Sequence, residues 1–202
     1  MGRRSDHSRT ELEALIVGAG QRLMAEVGFQ RFSAREVAKR VGYSVGTIYN
    51  LFGSGDRLVL AINTRTFGDW AEHLTARLTR ADAGAGEDRI AALVAGYFAF
   101  ARAHPHLWMA IYDHRLPPGA AMPEADAAAR GVLTGIVADE VARALGRDGD
   151  EVAALTRSLI ATVHGHCHFA LTGAWALMGD DDPEAAALAR VREALSAARA
   201  GT

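Results

Sequence analysis

The stretch FSAREVAKRVGYSVGTIYNLF, residues 32–52, decides the fold class, and the rest of the chain is read outward from it. Ser33 and Glu36 have the spacing of a capping box, with Phe32 and Val37 as the flanking apolar pair, so a helix is expected to start at Ser33. Ala38 is small where a second helix must come close. Gly42 supplies the positive φ that ends the first helix, and Ile48 is placed to fill the wedge between the two. Ser44 is expected to cap the second helix, with Tyr43 and Ile48 as its staple. Val45, Gly46, Thr47, Tyr49 and Asn50 then fall on the outer turns, the arrangement of a helix-turn-helix whose second helix lies in a DNA groove.

Within this unit the polar groups able to meet DNA are Ser33, Arg35, Lys39, Arg40, Ser44, Thr47, Tyr49 and Asn50. Hydroxyls and cations mostly hold phosphates and set register, whereas Thr47 and Asn50 can address base edges. Gly46 lets the backbone come close. Arg35, at the first turn, is the best placed of the cations, while Lys39 and Arg40 also fit an ordinary solvated surface.

SAREVAKRVGYSVGTIYNLFGSGDRLVLAI resembles the DNA-binding signature of the TetR/AcrR family of bacterial one-component transcriptional regulators, over about Ser8 to Ile62. The resemblance is carried by the run Gly46-Thr47-Ile48-Tyr49-Asn50-Leu51-Phe52, and it implies a phosphate contact for the Tyr49 phenol. The family often has His where Leu51 stands and usually a phosphate-contacting Lys where Gly55 stands, so those two contacts are not expected here.

Outside that stretch the pattern is helical throughout. Ser8 and Glu11 form a second capping box, followed by Leu12, Leu15, Ile16, Ala19, Leu23 and Val27 at helical spacing until Gly28. Arg3 and Arg4 are expected in a loose arm able to reach DNA. A long helix from Ser54 carries Leu58, Leu60, Ile62, Phe67, Trp70, Leu74 and Leu78 up to a Gly/Ala/Asp break from Ala81 to Asp88. Next come a helix through Ile90 to Ala101, a short one from Leu107 to Asp113, and a proline-rich loop from His114 to Glu124. The last three helices are expected over Ala125–Leu145, Asp150–Met178 and Pro183–Ala200. The expectation is an all-α protein of about nine helices: a three-helix head, residues 1–55, and a helical bundle, residues 56–202.

Half the residues are apolar, enough for a real core. No uninterrupted apolar run of about 18 residues is present and the basic start leads into charged sequence, so a soluble cytoplasmic protein without a membrane partner is expected. The one cysteine, Cys167, has no internal disulfide partner. The net charge of −2 hides an asymmetry, with nine Lys/Arg against six Asp/Glu in residues 1–60 and thirteen against eighteen beyond. The basic end is the end that would meet phosphate.

The helix from Asp150 shows two apolar stripes, one through Val152, Leu155, Leu159, Val163 and Ala170, the next through Ile160, His164, Leu171 and Trp175. Two apolar faces need two covers. The second cover is expected from another copy of the chain, in a four-helix bundle made with the last helix, so Leu155, Leu159, Val163, Ala170, Leu188, Val191 and Leu195 are the expected dimer interface. Two heads could then occupy successive major grooves of a near-palindromic operator.

His164 and His168, at i and i+4, invite a metal reading, either a metal-dependent enzyme or a metal sensor. Against it, His166 and Cys167 point elsewhere and no Cys-x-x-Cys pair is present, so neither a metal nor a cofactor is expected. No paired acid and base, partnered nucleophile or phosphate loop is found, so no catalytic residue is assigned. Val163-His164-Gly165, with the upstream HPHLWMAIY, resembles the regulatory domain named for its Trp-His-Gly residues, although Ile160 stands where the Trp belongs. The family resemblance implies an apolar cavity for a small effector, and Phe67, Trp70, Tyr97, Phe100, His104, Trp108, Tyr112 and His164 are the expected lining. Together these readings imply a homodimeric transcriptional regulator, expected to be a repressor released by a small-molecule effector.

Overall fold

The computed structural model describes residues 7–83, 88–179 and 181–200. Arg3 and Arg4 lie outside the described residues, as does most of the expected break after Ala83. Among the described residues the chain is all-α, with no strand. The helices are α1 (Arg9–Val27), α2 (Ala34–Val41), α3 (Val45–Phe52), α4 (Gly55–Ala83), α5 (Arg89–Ala103), α6 (Pro105–Asp113), α7 (Glu124–Leu145), α8 (Asp150–Leu171) and α9 (Pro183–Ala200), with short 3-10 turns at Phe29–Arg31 and Trp175–Met178. The chain packs as two units, one of Met1–Phe67 with His104–Ala129, the other of Gly68–Ala103 with Arg130–Thr202. α4 runs unbroken from the first into the second.

In the first unit α1 begins at the expected capping box, Glu11 N–H donating to Ser8 Oγ at 3.3 Å and Ser8 N–H to Glu11 Oε2 at 2.7 Å. Gly28, at φ +74, ends it. α1 packs against α2 and α6 over a core that includes Ile16, Leu23, Met24, Val37, Ile48, Leu58 and Ile62. Gly20 lets α4 come close to α1, since a Cβ there would sit 2.5 Å from Ile62 Cδ1. Polar bonds tie α6 and the start of α7 into the same unit. His106 Nδ1–H donates to the Ala25 carbonyl at 2.8 Å, Asn63 Nδ2 to the Ala110 carbonyl at 3.0 Å, and Thr64 Oγ1 to Asp126 Oδ1 at 2.8 Å.

In the second unit α8 packs on α9, and α5 on both. The buried stripe of α8 is Val152, Thr156, Leu159, Val163 and Cys167, with Thr156 Oγ1 donating to the Val152 carbonyl at 2.8 Å. α9 buries Ala187, Val191 and Leu195 against it. Glu140 of α7, whose side chain is 4 % exposed, is held by Arg89 of α5 through two bonds of 2.6 and 2.7 Å, and Asp82 takes a further Arg89 nitrogen. One boundary differs from expectation. α8 ends at Leu171 and not at Met178, because Gly173 adopts φ +76 and the chain re-forms only as the 3-10 turn at Trp175–Met178.

Candidate nucleic-acid interface

The α2–α3 turn has the geometry its residues dictate. Gly42 sits in the left-handed region, φ +75 and ψ 25, and its N–H closes α2 on the Ala38 and Lys39 carbonyls. Ala38 is buried and Ile48 fully so, wedged among α1, α2 and α4. Ser44 Oγ accepts the Thr47 N–H at 3.0 Å and lies 2.9 Å from Thr47 Oγ1, so both hydroxyls are engaged. Arg9 reaches across from α1, its Nη2 donating to the Leu51 carbonyl at 3.2 Å, and ties down the end of α3.

The capping box expected at Ser33 does not form. Ser33 occupies the position before α2 but makes no capping bond; its ψ of 122 departs from the 163 and 153 of Ser8 and Ser44, whose side chains do cap. Glu36 turns instead toward Arg40, 3.6 Å away. Arg40 is also gripped by Glu26, Nη1 to Oε1 at 2.9 Å and Nη2 to Oε2 at 2.7 Å. The bond to Arg40 holds the Glu26 carboxyl below the usual carboxylate range and raises Arg40 in turn. Arg40 is thus occupied within the fold.

Other cations are not. Arg31, Arg35, Lys39 and Arg57 are exposed and have no carboxylate partner among the described residues. Of the residues expected to face DNA, Ser33, Arg35, Ser44, Gly46, Tyr49 and Asn50 are exposed, and Val45 and Thr47 half-buried. Tyr49 keeps 45 % of its surface. Sequence reasoning passed over Arg9, Arg31 and Arg57. Arg57 was within reach of it, because it follows Ser54, whose Oγ accepts the Arg57 N–H at 3.2 Å and caps α4.

The expected effector lining is divided between the units. Phe67, His104, Trp108 and Tyr112 belong to the first, Trp70, Tyr97, Phe100 and His164 to the second. In the second, Trp70 stacks on Phe100 at 5.2 Å and meets Tyr97 edge-on at 4.7 Å, and Tyr97 Oη lies 3.1 Å from His164 Nδ1. A narrow apolar cavity of about 40 Å³ opens beside them, walled by Leu74, Leu93, Val94, Val137, Val141, Leu159, Ile160 and Val163 among others. Tyr97 is the member of the expected set that lines it.

The histidine cluster points in several directions. His164 faces Tyr97, His166 Nδ1–H donates to the Thr162 carbonyl at 2.8 Å and its ring lies 4.9 Å from Trp175. The His168 ring is 6.0 Å from that of His164. Burial, then the neighbouring His168, pushes His164 below the usual histidine range. Burial pushes the Cys167 thiol up to about 12, so it is no thiolate at neutral pH. Among the described residues no three His, Cys, Asp or Glu side chains gather closely enough to hold a metal ion, and no helix is long and apolar enough to cross a membrane.

Of the expected dimer residues, Leu159, Val163, Val191 and Leu195 are buried within the single chain, and Leu155, Ala170 and Leu188 are half-buried. The opposite side of α8 is open, with Ala154, Ser158, Ala161 and Phe169 exposed at helical spacing.

Residues 16–62 match the family described as bacterial regulatory proteins, tetR family, and residues 90–195 match the family described as tetracyclin repressor-like, C-terminal domain, which does not name the Trp-His-Gly type. The HTH-type transcriptional regulator Rv1816 of Mycobacterium tuberculosis (strain ATCC 25618 / H37Rv) is 26% identical over 137 residues, 68% of this chain and 57% of that protein. The chain thus spans little more than half the length of that curated relative. Among solved structures, a protein of unknown function from Rhodococcus sp. RHA1 superposes with a TM-score of 0.68 at 22% identity, over 98% of each chain. RolR in complex with resorcinol gives 0.65 at 19% identity, over 94% of each chain. A TetR-family transcriptional regulator from Streptomyces coelicolor gives 0.63 at 21% identity, over 95% of this chain and 99% of that one. At these identities the likeness is one of fold.

Proposed function

Because the chain belongs to the TetR family of bacterial regulatory proteins, we propose that it is a sequence-specific, DNA-binding transcriptional regulator acting as a homodimer on a near-palindromic operator. Residues 1–55 are the DNA-binding domain in this reading, and residues 56–202 sense a ligand and dimerise. The observation that carries it is the α2–α3 pair, capped and rigidly turned, which exposes Tyr49 and Asn50, together with the exposed, unengaged cations Arg35 and Lys39 of α2, Arg31 just before it and Arg57 at the start of α4. Cations with no internal carboxylate suit phosphates, and the uncharged groups of α3 suit base edges. Arg57, at the start of α4, takes the phosphate contact that Gly55 cannot make.

The dimer forms through the open side of α8, where Ala154, Ser158 and Ala161 let a partner helix approach closely. Leu159 and Val163 back it from within the same chain. The protein is a repressor, released when a small effector widens the narrow apolar cavity beside Tyr97 and so favours a conformation in which the two heads no longer match the operator spacing. RolR, which shares the fold, holds a small ligand, resorcinol. α4, continuous through both units, is the covalent route by which the change travels.

Selection of bound duplexes from a random pool, followed by affinity measurement, tests the reading. Tyr49→Ala or Thr47→Ala is expected to weaken binding at least about fivefold while the sedimenting species stays dimeric. Unchanged affinity in both would remove α3 from the interface. Ala161→Arg is expected to give a monomer that has lost operator binding, and a persisting dimer would move the interface elsewhere.

A further inference from the structure

α3 carries no lysine, arginine, histidine or carboxylate, and that limits which bases it can tell apart. In the major groove guanine presents two acceptors, N7 and O6, and is met bidentately by a guanidinium or an ammonium. Adenine presents the acceptor N7 beside the donor N6, and its bidentate partner is a side-chain amide, one donor and one acceptor. α3 holds one such amide, Asn50, which is exposed and has no partner among the described residues. The Thr47 hydroxyl is already engaged with Ser44 Oγ at 2.9 Å.

One helical turn before Asn50, on the same face, stands Gly46. A Cβ there would meet nothing nearer than Ser44 Oγ at 3.5 Å, an ordinary contact, and Gly46 is not among the glycines of positive φ. Neither packing nor backbone conformation requires glycine at this place, where alanine would favour the helix. The reason lies outside the fold. A missing side chain lets the α3 backbone come closer to the surface it faces and carries the Asn50 amide in with it. Half-buried Val45, beside the gap, offers methyl groups to a thymine C5-methyl.

We infer that α3 reads an A·T pair in each half-site. Asn50 pairs bidentately with adenine N6 and N7, and Gly46 is the gap that sets the depth of the helix. The inference rests on the reading of α3 as the helix that enters the major groove.

The test uses the full chain and duplexes selected from a random pool. One A·T pair per half-site is expected to be required, and replacing its adenine by 7-deazaadenine, which lacks the N7 acceptor, is expected to weaken binding roughly 5- to 150-fold. Asn50→Ala is expected to lose the preference at that pair and to become indifferent to the 7-deaza substitution. Gly46→Ala is expected to melt at the same or a higher temperature while binding the selected duplex more weakly, a combination that a structural role for the glycine would not give. Required G·C pairs that respond to α3 substitutions, or an Asn50→Ala variant with unaltered base preference, would overturn the assignment of A·T and leave DNA reading by α3 standing. A lowered melting temperature for Gly46→Ala would overturn the role of the gap. Failure of the pool to enrich, or full affinity in both Thr47→Ala and Tyr49→Ala, would overturn the reading on which the inference rests.

Discussion

The two packing units treat their cations differently. In the second, Arg89, Arg102, Arg143, Arg147, Arg190 and Arg192 each face a carboxylate at 3.7 Å or less. In the first, Arg9 and Arg40 are engaged, but Arg31, Arg35, Lys39 and Arg57, around the two short helices, have no such partner among the described residues, nor have Arg22 of α1, Arg65 of α4 and Arg115 after α6. The second unit also leaves Arg77, Arg80 and Arg157 without a carboxylate partner, on α4 and α8 and away from any tight turn between helices. Charge counting alone gave only a mild basic excess at the N-terminal end. The pairing pattern is more informative, because a cation neutralised inside the fold has little left to offer a phosphate, whereas an unengaged one beside a rigid turn does.

The largest effect that tests this contrast is on stability. Glu140→Gln takes from Arg89 its buried carboxylate, 4 % exposed against 23 % for the guanidinium, and leaves Asp82 as its remaining acidic partner. A loss of about 2 kcal/mol is expected in denaturant unfolding, below the range for a buried charge left unpaired because Arg89 keeps Asp82 and is partly solvated. DNA affinity at a temperature where the variant is folded should not change. If the variant keeps full stability, the second unit's pairs are ornamental and the contrast fails.

Next is the double change Arg35→Ala with Lys39→Ala, which removes two cations from each head of the dimer and should weaken all duplexes alike and make the slope of log affinity against log salt shallower by about 4. Arg190→Ala with Arg192→Ala, in the second unit, should leave that slope alone. Equal slopes for the two doubles would erase the distinction. Smaller again is the difference between two serines. Ser44→Ala removes a real cap and should cost about 1 kcal/mol in thermal unfolding, whereas Ser33→Ala, which loses no bond, should stay within about 0.5 kcal/mol of the parent.

The smallest effect concerns His164. Its folded-state affinity for a proton is reduced by burial and by His168, so it contributes nothing to the pH dependence only well above the ordinary histidine value of about 6.5. As pH falls through the histidine range the unfolded chain takes the proton more readily, and stability is lost. His164→Gln should therefore lose less stability than the parent between pH 7.5 and 5.5. Identical losses would remove His164 as the source.

Much of the head was legible because its determinants are local. Gly42, Ser44, Ala38 and Ile48 act within one or two turns of where they stand, and each took the expected role. Ser33 did not, because Glu36 had a rival partner one turn on, Arg40, and a capping box needs both residues free for each other. The end of α8 was missed for a similar reason: Gly173 could continue a helix or break it, and only its positive φ decides. The effector lining depends on longer range, and only Trp70, Tyr97, Phe100 and His164 of the expected set gather in one unit. Aromatic residues chosen by type, such as Trp108 and Phe100, carry no mark of which packing unit will take them.

By itself the sequence determined that the chain is helical, where most helices begin and end, and that a turn at Gly42 presents Tyr49 and Asn50 outward, since capping, φ preference and periodicity are properties of neighbouring residues. Tertiary structure decided which stripe of α8 is core, which cations are spent on carboxylates, and where the apolar cavity opens. Those depend on which of several similar surfaces meet, and Leu159 and Val163 look the same in sequence whether a partner chain covers them or their own does.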